Sequence, residues 1–250
     1  MNSRIQSFTT VLLFLFLLSG CGVRSTGGTA SDRATAQAMV DVASQMLQDS
    51  LDRDEKGVLR KLISEAKGIM IMPAMGDVSF IFSLGGGNAL LLANTDKGWT
   101  GPVFMSKGTV GWGLQAGVSK QSGLLLFMHE DDVRYVVQTG GVFRGQARIV
   151  AITTDYEYNE TPEFYESGDV YFVGEYSGLY AGVALSGGGF SDRLSLNEAF
   201  SGVDGGGPRT ILYDKGLQPY GAERLISLLS QAGSSSQMEK EKDGTEVPSE

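Results

Sequence analysis

GGGNALLLANTDKGWTGPVFMSKGTVGWGLQAGV, Gly85–Val118, decides the fold of this chain. It alternates short apolar runs with glycine and polar breaks. Ala89–Ala93 and Trp99–Met105 are long enough for strands and too short for helices, and polar, glycine-ended punctuation stands between them. The glycine triplet Gly85–Gly87 reads as a loose turn that pairs Val78–Leu84 with Ala89–Ala93 as a hairpin. Thr109–Val118 adds a further strand.

The same grammar extends outward. Before the run, GIMIMP is a strand stopped by Pro73. After it, Leu124–Met128, Tyr135–Thr139, Arg148–Thr154, Asp169–Val173 and Leu179–Leu185 continue the series. Many short strands with turn signals between them predict an antiparallel sheet, barrel-like or sandwich. Helical patterns flank it. Ser31 and Asp32 are candidate N-caps for a helix whose apolar positions are Ala38, Val42, Met46 and Leu47. A second helix, about Asp54–Ala66, carries Val58, Leu59, Leu62 and Ile63 on one face. Ser195–Phe200 is a short helical turn, and Gly221–Gln231 a closing amphipathic helix. The polar faces mix both signs of charge, so these helices are expected to pack on the sheet rather than enter a membrane. The fold class is therefore α+β, a β-rich antiparallel sheet with amphipathic helices before and after it.

At the N-terminus, Arg4 precedes an apolar run, Val11–Leu18, that ends in LSGC, Leu18–Cys21. The run is short for a membrane span, which takes about 20 residues. A charged start, an apolar stretch and small residues describe a secretory leader. The sequence LSGC resembles the lipobox cut before cysteine by lipoprotein signal peptidase, and Cys21 is the only cysteine of the chain. The expected organisation is a leader at 1–20, a Gly/Ser/Thr-rich tether at 21–31, one domain at 32–231 and a disordered polar tail at 232–250. Gly22 stands where an inner-membrane retention signal commonly has aspartate, which points to the periplasmic face of an outer membrane.

Composition narrows the chemistry. The formal charge is −9, which argues against nucleic acid as a partner. With Cys21 acylated no thiol remains, so disulfides, thiolate metal sites and cysteine nucleophiles are excluded. The single histidine, His129, cannot build a multi-histidine metal site, and HEDD places it in an exposed turn after Leu124–Met128. Asp155, Glu157, Glu160 and Glu163 form an acidic cluster, but in a stretch that reads as a long exposed loop. No glycine loop has the strand, G-x-G-x-x-G, helix order of a nucleotide site. Catalytic residues, metals and cofactors are thus expected to be none.

Several segments in order resemble the SYLF domain, a lipid-binding module of membrane-traffic proteins and bacterial lipoproteins. They are AKGIMIMP (Ala66–Pro73), GGGNALLL (Gly85–Leu92), GWTGPVFM (Gly98–Met105), GWGLQAGV (Gly111–Val118), YSGLYAGVALSGGGF (Tyr176–Phe190) and LNEAFSG (Leu196–Gly202). Ile211–Leu212 and the final helix follow in the expected place, so the resemblance covers roughly Ala66 to Gln231. Trp99, Trp112, Leu179 and Tyr180 are read as core. The chain departs from the family where a basic turn is common, having Thr153, Thr154 and Asp155 instead, and at Glu175 before the Gly-Leu-aromatic segment. The resemblance implies a phospholipid headgroup or acyl chain as ligand, with Lys67, Lys107, Lys120, Arg144 and Arg148 as candidate contacts. Two functions stay open: a non-enzymatic lipid-interacting lipoprotein, and a structural or assembly lipoprotein binding an envelope protein or peptidoglycan.

Cys21→Ser is expected to leave the leader uncleaved or to release the chain from membranes. Membrane fractionation and the mass of the N-terminal peptide read this directly. An unchanged membrane-bound product with the same N-terminal mass excludes acylation at Cys21.

Overall fold

The computed structural model describes residues 28–79, 82–112, 117–141, 149–152, 169–176 and 189–243. Two helices come first, α1 (Ala30–Asp52) and α2 (Val58–Glu65). Four long strands follow: β1 (Gly68–Ser79), β2 (Phe82–Thr95), β3 (Gly98–Trp112) and β4 (Gly117–Phe127). Helix α3 (Glu130–Thr139) leads to β5 (Ile149–Ile152), β6 (Val170–Tyr176) and β7 (Gly189–Asp192). Helix α4 (Leu194–Ser201), a π-helical turn (Thr210–Asp214) and α5 (Glu223–Asp243) close the chain.

The strands form one sheet in the order β5-β6-β4-β1-β2-β3-β7. The pairs from β6 to β7 are antiparallel, and β5 joins β6 in parallel. The expected α+β class holds, but among the described residues the sheet is open, with β5 and β7 at its edges. It is neither a closed barrel nor a second sheet packed on the first. Helices cover it instead.

Alternation along each strand sends side chains into two cores. Ile69, Ile71, Leu90, Leu92, Phe104, Leu124, Leu126, Tyr171 and Val173 pack under α1, α2, α4 and α5. Met70, Met72, Leu91, Val103, Met105, Leu125, Phe127 and Phe172 face α3 and the π-helical turn. Both faces of the central strands are therefore dry, which is why IMIM, ALLLA and LLLF are unbroken apolar runs rather than alternating ones.

Several local expectations are corrected. Strand β1 runs through Pro73; the register shifts between Ile71 and Ala74, a bulge where the missing N–H is tolerated. Gly85–Gly87 is not a turn but lies inside β2, and Trp99–Met105 and Thr109–Trp112 are one strand. Tyr135–Thr139, expected as a strand, is helical. Glu130, Asp131 and Asp132 load the first turn of α3 and Gly140 ends it at φ 71°, so end signals outweigh the β-branched VVQT composition. Helix α5 continues past Ala232, where the polar tail was expected to begin, to Asp243.

Helix α1 is capped by Thr29 rather than Ser31 or Asp32. The Asp32 backbone N–H donates to the Thr29 hydroxyl at 3.1 Å, and Thr29 N–H and O–H donate back to the Asp32 carboxylate. These bonds hold the Asp32 carboxyl below its usual range. The buried stripe is Ala36, Val40, Ala43, Leu47 and Leu51, whereas Ala38 is exposed and Val42 is 55% exposed. Both stripes have helical spacing; the one with small residues at 36 and 43 lets α1 approach its neighbours closely. Helix α2 buries Leu59, Leu62 and Ile63 as expected. Its N-cap, Gly57, has no side chain, and the buried Asp54 carboxylate accepts the Arg60 N–H instead.

The GWTGP segment and the LNEAFSG segment act as clasps. The Thr100 hydroxyl donates to Leu212 O at 2.8 Å, Gly101 N–H to Leu217 O at 2.8 Å, and the Gln218 amide to Trp99 O at 2.9 Å. The Gly101-Pro102 peptide is cis. Gly101 has φ 101°, and a Cβ there would meet Leu212 at 2.8 Å. Asn197 is buried and pairs with Phe104 like an extra strand residue: its Oδ1 accepts the Phe104 N–H at 2.6 Å and its Nδ2 donates to Phe104 O at 3.2 Å. Asn197→Ala strands a buried N–H at the end of the β3–β7 pairing and is expected to destabilise the fold by about 1–3 kcal/mol. The midpoint of urea denaturation measures it.

Candidate functional site

Of the five basic residues expected at a ligand, three are in the described sheet region and two, Arg144 and Arg148, lie outside the described residues. So do Cys21, the cluster Asp155, Glu157, Glu160 and Glu163, and Leu179 and Tyr180. Lys67 is exposed and immediately precedes Gly68, whose partners are Ala93 and Phe127 at one end of the sheet. Lys107 and Lys120 stand toward the other end: Lys107 is opposite Gly87 and Phe190, Lys120 opposite Gly76. Seven or eight strand residues separate the two ends, about 25 Å at the usual rise. The structure thus does not gather the predicted lysines into one site.

It does bring Lys107 and Lys120 onto adjacent rungs, and the rung of Lys120 is unusual. Gly76 pairs with Gly86, Gly86 with Gly108, and Gly108 with Gly189. Four glycines far apart in sequence therefore line up across β1, β2, β3 and β7, a strip about 14 Å wide at the usual strand spacing. No side chain projects from these four positions.

Lys107 follows Met105 by two positions and so emerges on the face of α3 and the π-helical turn. It is only 5% exposed and is engaged by the protein itself. An amine taken this far from water needs such a partner. The Lys107 backbone stands opposite Phe190 in the β3–β7 pairing. Trp99 is buried in the first core, as expected.

Other titratable groups are placed by helix ends. His129 is the N-cap residue of α3, exposed, and its Nε2 lies 3.2 Å from Asp169 Oδ1. The turn expected there is the entry to a helix. Among the described residues no group of three or more His, Cys, Asp or Glu is arranged to hold a metal. Two features escaped the sequence. Arg134 lies 4.0 Å over the Tyr213 ring while its guanidinium pairs with Glu130. Arg33 donates to Ala199 O, Phe200 O and Tyr220 O, neutralising the C-terminal end of α4. The i,i+4 spacing of Glu130 and Arg134 was a legible signal; the long-range partners of Arg33 were not.

The Tyr213 hydroxyl is buried and has no hydrogen-bond partner among the described residues. Burial pushes its pKa up to about 12, opposed by the nearby Arg134 charge. The folded state thus holds this proton more tightly than the unfolded chain, whose tyrosine ionises near 10. Stability from the neutral phenol is intact below about pH 10 and is lost as pH rises toward 12. Tyr213→Phe removes no hydrogen bond, so it is expected to match the parent in stability at pH 8 and to exceed it above pH 10. Denaturant midpoints across that range test the sign.

Residues 108–232, half of the 250-residue chain, match the Ysc84 family model, described as Las17-binding protein actin regulator. Over 170 residues the chain is 25% identical to SH3 domain-containing YSC84-like protein 1 of Xenopus laevis, covering 67% of this chain and 50% of that protein. It therefore spans about half the length of the curated relative it matches. No solved structure matches it. The matched stretch starts at the glycine rung on β3 and runs through the Asn197 clasp and the π-helical turn into α5. On that match, the chain belongs to the Ysc84 (SYLF) family.

Proposed function

We propose that this protein is a lipid-anchored, non-catalytic SYLF-domain protein that interacts with phospholipid at the bacterial envelope. Family membership over residues 108–232 is the observation that carries this reading. The leader ending in LSGC supports anchoring through an acylated Cys21, and Gly22 favours the periplasmic face of the outer membrane. No helix among the described residues is long and apolar enough to cross a membrane, so attachment in this reading falls to the acyl chains. Each buried methylene contributes about 0.8 kcal/mol, and two or more chains hold a protein stably. The domain itself then needs only weak affinity, because the tether keeps its local concentration high.

The glycine strip is the proposed place for an extended acyl or backbone segment. Lys120 stands on its rung, and Lys67 is at the opposite sheet end. A second reading is favoured by the family description, which names a protein ligand, Las17. Here the same domain would bind an envelope protein or peptidoglycan.

The charge of −9 opposes attraction of the bare domain to anionic bilayers. Co-sedimentation of unlipidated protein is therefore expected to be weak on both neutral and anionic vesicles, and strong once Cys21 is acylated. Tight, salt-sensitive binding of the unlipidated form to anionic vesicles contradicts the charge argument. A complete lack of lipid binding together with a stable protein partner favours the second reading. Release of fatty acid or headgroup overturns the non-catalytic assignment.

A further inference from the structure

Tyr220 is 83% exposed, yet its backbone is fixed. Its carbonyl accepts from the Arg33 guanidinium at 2.9 Å, and the next residue, Gly221, accepts at its carbonyl from Gln37 at 3.1 Å. The same guanidinium reaches Ala199 O and Phe200 O, and lies 5.2 Å over the Phe200 ring. One cation therefore ties the start of α1, the end of α4 and the segment before α5 into one corner. Leu194, 44% exposed, stands at the start of α4, next to Ser195, whose hydroxyl contacts Asp32 at 3.3 Å. The exposed large apolar side chains among the described residues are Val42, Leu194 and Tyr220. Tyr220 sits at this corner, whereas Leu194 stands at the other end of the 8-residue α4.

The chain enters the domain here. Gly28 lies against Ala199 so closely that a Cβ would overlap it. Seven residue steps separate Gly28 from Cys21, a reach of at most about 25 Å. Helix α1 has 23 residues, about 34 Å at the usual rise. A membrane holding Cys21 can therefore meet the start of α1 easily. It cannot lie against the far end of α1 with the helix standing upright, because Gly28 would then be beyond the reach of the tether.

We propose that this corner is the membrane-contacting surface, with Tyr220 entering the headgroup layer of a zwitterionic phospholipid bilayer. The inference rests on the proposed acylation of Cys21 and adds to it a defined orientation. Tyrosine suits the place: an apolar ring with a polar tip is favoured where lipid tails meet headgroups. Three carboxylates near the corner accept hydrogen bonds from the protein itself. Asp32 is held by Thr29, Glu198 accepts from Gly205 N–H, and Glu223 from Gly221 N–H. The negative balance of the chain makes a zwitterionic surface the compatible one. Locking the Tyr220 backbone beforehand lowers the ordering cost of insertion.

The test uses the full chain, produced with its own N-terminus in a bacterial host, purified from membranes and reconstituted into phosphatidylcholine vesicles. Tryptophan is introduced as Tyr220→Trp or, as a control past the far end of α1, Lys56→Trp. Mass spectrometry of the Cys21 peptide is read on the same samples. Acylated Cys21 with Tyr220→Trp emission that, relative to the parent chain carrying only Trp99 and Trp112, is blue-shifted and quenched by brominated lipid, and no such difference for Lys56→Trp, is the expected result. An acylated chain in which position 220 is unquenched, or in which both positions are quenched equally, overturns the orientation while leaving the anchor standing. An unmodified Cys21 overturns the anchor, and the orientation falls with it.

Discussion

Both faces of the central strands exclude water, and the rest of the molecule is arranged around that requirement. Ile69 and Ile71 go to one core while Met70 and Met72 go to the other; Leu90 and Leu91, and Leu124 and Leu125, divide the same way. An open sheet with two apolar faces is unstable unless each is covered. One cover is made by α1, α2, α4 and α5, elements from the two ends of the chain. The other is made by α3 and the π-helical turn. The covering elements must be fastened to strand ends whose backbone groups would otherwise be buried unpaired. Thr100, Gly101, Gln218 and Asn197 do this by hydrogen-bonding across long sequence separations.

Two of the family-like segments form these clasps. GWTGP receives the π-helical turn, and LNEAFSG plugs the edge of β3 beside β7. They are structural devices. The glycines belong to the same logic in a different way. Those at 76, 86, 108 and 189 are unremarkable singly, and only strand register sets them on one rung.

Function, as proposed, divides between an anchor that supplies the affinity and a domain that supplies orientation and recognition. An acidic domain is poorly suited to seek an anionic membrane by itself, and an acyl anchor makes such attraction unnecessary. The Arg33 corner connects the two parts, because it is where the tether enters and where the backbone beneath Tyr220 is made rigid.

Sequence alone determined the α+β class, the order of helices around a β-rich centre, the family resemblance and the core role of Trp99. These follow from local composition, spacing and punctuation, which are properties of neighbouring residues. It misplaced Gly85–Gly87 as a turn and Tyr135–Thr139 as a strand. Glycine is compatible with both turn and strand, and the end signals of α3 outweighed its β-branched residues. On α1 it placed Leu47 correctly in the core but put Ala38 and Val42 on the buried face, although both are exposed, since only the neighbours of a helix decide which of two faces of one period is covered. The glycine rung, the separation of Lys67 from Lys107 and Lys120, the burial of Lys107 and the three-way bond of Arg33 were decided by tertiary structure. Each depends on strand register or on contacts between residues as many as 187 positions apart, and no local pattern encodes those pairings.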